Sequence, residues 1–174
     1  MSTSTHEHKK EAPKSVAVYV LTVSDTRTVE TDKSGALIKE LLVGAGHRVS
    51  GHEIVPDEAD EIRAALMRQI AHEETEAIVI TGGTGIGPRD VTIEVVDSLL
   101  DKRMPGFGEL FRVLSYEEIG AATVLSRATG GVAGGTIVLA TPGSSGAVRL
   151  AMSKIILPEL AHMIREIRNV GKKR

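Results

Sequence analysis

The sequence contains no cysteine and no tryptophan, and only two tyrosines and two phenylalanines. Without cysteine there can be no disulfide framework, no thiolate nucleophile and no thiolate zinc site, and the cytoplasm is the expected compartment. A short chain with so few aromatic residues is expected to bury further apolar helix surface by assembling into a closed oligomer.

Neither sign of charge dominates, because 21 Lys and Arg residues face 23 Asp and Glu residues. This balance argues against a broad basic surface for nucleic acid or an anionic membrane, although a local positive pocket could still bind small anions. No apolar run is long enough to span a bilayer, and the first residues lack the apolar segment of a signal peptide. We therefore expect a soluble protein that binds neither nucleic acid nor membrane.

The 174 residues, of which 41% are apolar, suffice for one well-buried domain. Residues 1–14 are polar and of mixed charge, which predicts a disordered tail, and residues 169–174 form a basic tail. The single α/β domain is expected at 15–168. His6 and His8 form an H-x-H pair in the first tail, but without a third ligand nearby they are not expected to form a metal site.

Strand and helix patterns alternate along the chain. Apolar, β-branched runs predict buried strands in SVAVYVLTVS, EAIVIT and TIVLATP, and HRVSGHEIVP predicts a less apolar strand. Helical spacing predicts helices in SGALIKELLVGAG, DEADEIRAALMRQIAHE and VTIEVVDSLL, and a closing helix kinked at Pro158. The stretch from Pro105 to Arg127 predicts short helices. This order predicts a three-layer αβα sandwich around a mostly parallel, Rossmann-like sheet.

Three loops follow predicted strands: VSDTRTVETDKSG, TGGTGIGPRD and TPGSSG. Ligands bind at the carboxyl ends of strands in such sheets. The glycines of TGGTG would let backbone N–H groups approach an anion, and the next helix adds its positive N-terminal end. The loop contains no G-K-[ST] and no G-x-G-x-x-G, which argues against Walker A and Rossmann dinucleotide sites. The alternative is a tight turn that only joins strand to helix.

Two aspartates, Asp57 and Asp90, are expected at helix starts that follow consecutive strands. Either one alone could be a helix N-cap. Together they would lie beside the glycine loop at one sheet edge, where the positive helix ends would keep them ionised. Ionised carboxylates beside phosphates hold Mg²⁺, so the pair predicts a magnesium site rather than a general acid.

Five motifs then occur in a characteristic order: VLTVSDT, VPDE, TGGTGIGPRDVTIEV, MPGFGELFR and LSRATGGVAGGTIVLATPGS. Over about residues 16–160 they resemble the molybdopterin-binding family, which includes bacterial molybdopterin adenylyltransferases and the N-terminal domain of gephyrin. The run LFRVLSYEEIGAATVLSRA is most similar to the molybdenum cofactor biosynthesis protein B branch, whose activity is less uniform than that of the dedicated adenylyltransferases.

The resemblance implies Mg²⁺-dependent transfer of AMP from ATP to the terminal phosphate of molybdopterin, with release of pyrophosphate. It also implies a homotrimer or a dimer of trimers. The family's catalytic and Mg²⁺-linked aspartates match Asp57 and Asp90. Its molybdopterin- and phosphate-binding positions match Ser24, Asp25, Gly82, Gly83, Thr84, Gly85, Ser126, Arg127, Pro142, Gly143 and Ser144.

One departure from the family is that Thr26 stands where many members have arginine, with Arg27 one place later. Arg27, Lys33, Arg89 and Arg127 are the cations available to offset phosphate charge. Because a substrate phosphate would be the attacking group, the protein need supply no nucleophile. Two alternatives stay open: a non-catalytic molybdopterin-binding or carrier protein, and a structural, partner-recruiting use of the fold.

Overall fold

The computed structural model describes residues 12–168. The first part of the chain forms β1 (Ala17–Val23), α1 (Lys33–Gly44), β2 (Arg48–Val55), α2 (Ala59–Ile70), β3 (Ala77–Thr81) and α3 (Thr92–Leu99). The second part forms β4 (Lys102–Arg103), α4 (Pro105–Ile119), a 3₁₀ turn (Gly120–Leu125), β5 (Thr129–Ala133), β6 (Thr136–Thr141), α5 (Ser145–Ala151), a π-helical turn (Met152–Ile156) and α6 (Leu157–Arg168). His6, His8 and residues 169–174 lie outside the described residues, so the predictions about them stay predictions.

The six strands form one sheet in the order β2-β1-β3-β6-β5-β4. Strands β2, β1, β3 and β6 are parallel to one another. At one edge of the sheet, β5 pairs antiparallel with β6, and β4 pairs antiparallel with β5. The predicted mostly parallel sheet is confirmed, but its antiparallel edge was not predicted. Gly134 and Gly135 join β5 to β6 with φ of 55° and 85°, the backbone conformation of a two-residue hairpin turn.

Two helical layers cover the sheet, as β1 illustrates. Every residue of β1 is buried, and alternate side chains point to opposite faces. Val18 and Val20 pack in the apolar cluster that includes α1, α4, α5 and α6, whereas Tyr19 and Leu21 pack with α2 and α3. The three-layer αβα sandwich is therefore confirmed. Among residues 12–168, no helix combines the length and the apolar character needed to cross a membrane.

The stretch from Pro105 to Arg127 differs from the prediction of short helices, because most of it is the single fifteen-residue helix α4. Gly108 lies where this helix packs closely: a β-carbon there would lie 2.5 Å from the carbonyl oxygen of Ala128. The predicted interruption does not fall at Pro158, which lies within α6; a π-helical turn, Met152–Ile156, comes directly before that helix. Proline has no N–H to donate to the preceding turn, and the helix continues past it.

Candidate substrate-binding site

The loops after β1, β3 and β6 meet at the carboxyl edge of the parallel strands. The chain passes from β1 to β2 on one side and reaches β3 on the other, so the crevice between β1 and β3 is a topological switch point. Gly82 has φ of 98°, and a β-carbon there would collide with the carbonyl oxygen of Val23. A β-carbon on Gly143 would lie 3.2 Å from the α-carbon of Gly82. Glycine is therefore required for these loops to approach one another.

The glycine loop also contacts both predicted catalytic aspartates. Gly83 has φ of 61°, and a β-carbon there would lie less than 3.0 Å from Asp57 Oδ1 and from Thr92 Oγ1. A β-carbon on Gly85 would lie 2.6 Å from Asp90 Oδ2. The structure thus brings Asp57 and Asp90 to the same loop, as expected, and their catalytic roles stay predictions.

A third aspartate, Asp25, belongs to the same group of carboxylates. The backbone N–H of Asp25 donates to Asp57 Oδ2, and that of Asp57 donates to Asp25 Oδ1, each over 3.1 Å. Arg89 donates to both oxygens of Asp25, over 2.9 and 3.0 Å, and to Glu58 over 3.0 Å. Arg89 therefore neutralises Asp25 and ties the loops after β1, β2 and β3 together.

The pKa values of the two paired carboxyls shift in opposite directions. The hydrogen bond from Arg89 lowers the pKa of Asp25 below its usual value. Burial raises the pKa of Asp57, and the negative charges of Asp25 and Asp90 raise it further. Burial and the neighbouring carboxylates therefore act against the positive helix end that was expected to favour the charged form of Asp57. Removal of this negative repulsion by a bound cation would favour ionised Asp57.

Neither aspartate begins a helix or caps one. Helix α2 begins at Ala59 after Glu58, and α3 begins at Thr92 after Val91; neither preceding residue makes a side-chain cap. Asp90 Oδ2 instead accepts a 2.9 Å hydrogen bond from the backbone N–H of Gly87 and so closes the loop ahead of α3. Each aspartate lies two residues before the first residue of its helix and one residue before the N-cap, so helix capping does not explain either of them.

Arg127 braces the glycine loop from the side of β5. Its guanidinium donates to the carbonyl oxygens of Thr84 and Asp90 over 2.9 and 3.1 Å, and it forms an ion pair with Glu94. Thr84 itself is buried. Arg127 was predicted to contact phosphate, but its guanidinium already has partners within the protein. In this structure it holds the glycine loop in place.

The remaining predicted positions line two small cavities. Ser24, Gly82 and Gly143 line a cavity of about 90 Å³, together with Arg27. Ser126, Pro142 and Ser144 line one of about 140 Å³ beside α4 and α5. The Ser144 hydroxyl accepts from the backbone N–H of Ala147 and caps α5. A larger cavity of about 540 Å³ shares Ser24 and Arg27 with the first and also includes Asp25.

Sequence reasoning missed the side chains that support these loops. Asp32 caps α1 by accepting from the N–H of Gly35, and its other oxygen contacts His52 and the Thr22 hydroxyl. Ser34 donates to the carbonyl oxygen of Gly143 over 2.7 Å and so connects α1 to the loop after β6. Asp32 two residues before Ser34 is a recognisable helix-start signal, whereas the contact with His52 depends on the sheet register.

Comparison with known proteins supports the family resemblance and the fold. Residues 19–162 match the family model described as "Probable molybdopterin binding domain". Molybdenum cofactor biosynthesis protein B of Bacillus subtilis is 56% identical over 95% of this chain and 98% of its own. A crystal structure of a molybdenum cofactor biosynthesis protein B superposes with a TM-score of 0.89 at 54% identity, covering 91% of this chain and 99% of the other.

A more distant relative has the same fold. The tungsten cofactor synthesizing protein MoaB from Pyrococcus furiosus is 42% identical, with a TM-score of 0.81 over 90% of this chain and 99% of that one. The family model covers most of the chain, and the relatives match over nearly their full lengths. The chain therefore belongs to the molybdopterin-binding domain family.

Proposed function

We propose that this protein acts in molybdenum cofactor biosynthesis and transfers AMP from ATP to the terminal phosphate of molybdopterin. The observation that carries the proposal is the meeting of Asp25, Asp57 and Asp90 at the glycine loop of the switch-point crevice. Relatives named for molybdenum cofactor biosynthesis support the pathway, and the absence of cysteine remains the reason to expect the cytoplasm.

In this reaction an oxygen of the molybdopterin phosphate attacks the α-phosphorus of ATP, and the bond to the leaving pyrophosphate breaks. The protein supplies position and charge rather than a nucleophile. Gly82 and Gly83 have positive φ, a conformation that glycine adopts readily, and backbone N–H groups in such loops can bind a phosphate. Arg27 lines the adjoining cavities and is the cation placed to offset phosphate charge there, since Arg89 and Arg127 hold carboxylates.

The carboxylates fit a magnesium ion shared with substrate. Within residues 12–168 no group of three or more His, Asp or Glu side chains could hold a metal alone. Mg²⁺ typically takes only one or two protein carboxylates, and substrate phosphates and water complete its shell. Asp57 and Asp90 can supply those two oxygens, whereas Asp25 is already paired with Arg89. When bound, the ion would neutralise charge that develops on the phosphates.

An apolar stripe on α4 supports the proposed homotrimer or dimer of trimers. Leu110, Val113, Tyr116 and Ile119 follow one another at three-residue spacing, and each is at least 45% exposed. Residues three apart are neighbours on a helix surface, so the four side chains form a continuous ridge that winds along α4. Contiguous exposed apolar surface of this kind commonly marks a protein interface, so we propose this stripe as the surface that assembles copies of the chain.

The test of the catalytic role is Asp57→Asn and, separately, Asp90→Asn, with pyrophosphate release measured at varied Mg²⁺. Each variant should release pyrophosphate at least about a hundredfold more slowly while still binding molybdopterin, because the lost charge acts on the transition state. Asp60→Asn is the matched control, since it removes an exposed carboxylate from the first turn of α2 without touching the loops. It should turn over normally.

Two outcomes would contradict the proposal. If the aspartate variants release pyrophosphate as fast as Asp60→Asn does, the carboxylates do not act in the reaction. If the parent protein binds molybdopterin and releases no pyrophosphate with ATP and Mg²⁺, the chain is a pterin-binding or carrier protein instead.

A further inference from the structure

Thr92 carries an unexplained polar atom at the centre of the site. Its side chain is completely buried, and its hydroxyl is one of the few buried hydroxyls within residues 12–168 that have no hydrogen-bond partner. Burying an unpaired hydroxyl costs free energy that a valine would not. Such atoms in folded proteins call for an explanation, and strain, an absent water and a catalytic role are among the usual ones.

The surroundings of Thr92 indicate what the hydroxyl can contact. The backbone N–H of Thr92 donates to the carbonyl oxygen of Gly83 over 2.9 Å, which fixes Thr92 against the glycine loop. Thr92 Oγ1 and Asp57 Oδ1 both lie less than 3.0 Å from the point that a β-carbon on Gly83 would occupy. The two oxygens therefore face the same small volume, on the side of the loop that the aspartates occupy.

One carboxylate oxygen of Asp57 is available to accept a hydrogen bond from the Thr92 hydroxyl. Asp57 Oδ2 accepts from the backbone N–H of Asp25, whereas Oδ1 is the oxygen that lies against Gly83. The negative charges of Asp25 and Asp90 repel the Asp57 carboxylate, and Arg89, which attracts it, is paired with Asp25 and Glu58. A donor on the Oδ1 side would fix the direction in which the carboxylate points.

We propose that Thr92 is a positioning residue, whose hydroxyl donates to Asp57 Oδ1 when Mg²⁺ and a nucleotide phosphate occupy the glycine loop. The proposal rests on the proposed function, because it requires a cation at Asp57. Both oxygens lie beside the same point next to Gly83, and a contact between them would fix the carboxylate as a metal ligand. Outer hydrogen bonds of this kind commonly tune metal affinity by tenfold or more.

The test compares Thr92→Val, which keeps the shape but removes the hydroxyl, with Thr92→Ser, which keeps the hydroxyl. Binding of Mn²⁺ is measured by electron paramagnetic resonance in the presence of ATP, and thermal melting is measured without ligands. Thr92→Val should melt no earlier than the parent and need about tenfold more Mn²⁺ for half-saturation. Thr92→Ser should stay within about threefold of the parent, because it keeps the donor.

Ser50→Ala provides the control, since Ser50 also carries a buried unpartnered hydroxyl but lies near the start of β2, away from the loops. It should leave Mn²⁺ binding unchanged. Earlier melting of Thr92→Val would show a structural partner and overturn the proposal, as would unchanged Mn²⁺ binding or no Mn²⁺ binding by the parent. Thr92-dependent Mn²⁺ binding without pyrophosphate release would uphold this inference and refute adenylyl transfer.

Discussion

Replacement of Gly83 by alanine tests whether the glycine loop is built around its aspartate and threonine neighbours. Gly83 has φ of 61°, and a β-carbon would press on Thr92 Oγ1, Asp57 Oδ1 and a methyl group of Val23. The left-handed backbone alone costs an alanine about 1–2 kcal/mol. Overpacking against fixed neighbours adds about 1–3 kcal/mol. Gly83→Ala should therefore lower the free energy of unfolding by about 2–5 kcal/mol.

Gly135→Ala separates the two contributions. Gly135 has φ of 85°, but nothing lies within 4 Å of an added β-carbon, so this variant reports the backbone cost alone. At about 2–4 °C for each kcal/mol in a chain of this size, Gly83→Ala should melt about 2–12 °C below Gly135→Ala. Gly83→Ala should also lose molybdopterin affinity, and Gly135→Ala should retain it. Equal melting temperatures and equal pterin affinity would refute the close packing deduced at Gly83.

Two further predictions concern pH and assembly. Burial, with a smaller contribution from Lys39, lowers the pKa of His52 below its ordinary 6.5, so the unfolded chain binds more protons just below that pH. The free energy of unfolding should therefore rise with pH up to about 6.5 and then level off with respect to this group, and His52→Gln should show a shallower rise in denaturant titrations from pH 5 to 8. An unchanged slope would contradict the assignment. Val113→Glu should convert the oligomer to monomers in light scattering at micromolar concentration, because a charge would be buried in the apolar stripe of α4; a monomeric parent would reject that interface.

The central part of the fold could be predicted from the sequence because its elements carry strong local patterns. The continuous apolar runs of β1, β3 and β6 indicate strands covered on both faces, and these strands are buried as expected. The antiparallel edge could not be predicted in this way. β4 has two residues, and the TGGVA sequence of β5 contains two glycines, so both strands depend on pairing with their neighbours rather than on propensity.

The sequence predicted which loops form the site, but it did not predict most of the side-chain contacts between those loops. Glycine spacing and motif order bring Gly83, Asp57 and Asp90 to one place, because consecutive parallel strands end at the same edge. The ion pair between Arg89 and Asp25 joins residues far apart in sequence, and no local pattern indicates it. The raised pKa of Asp57 was likewise beyond sequence reasoning, since it depends on burial and on the distances to Asp25 and Asp90.

Pyrophosphate release by the purified protein tests the central claim most directly. The parent protein, supplied with ATP, Mg²⁺ and molybdopterin, should release one pyrophosphate for each adenylylated molybdopterin formed. Omission of molybdopterin or chelation of Mg²⁺ should stop the release, and Asp57→Asn should slow it at least about a hundredfold. If molybdopterin binds to the parent protein but no pyrophosphate appears with all three components present, the assignment of adenylyl transfer to the Asp57 and Asp90 site is contradicted.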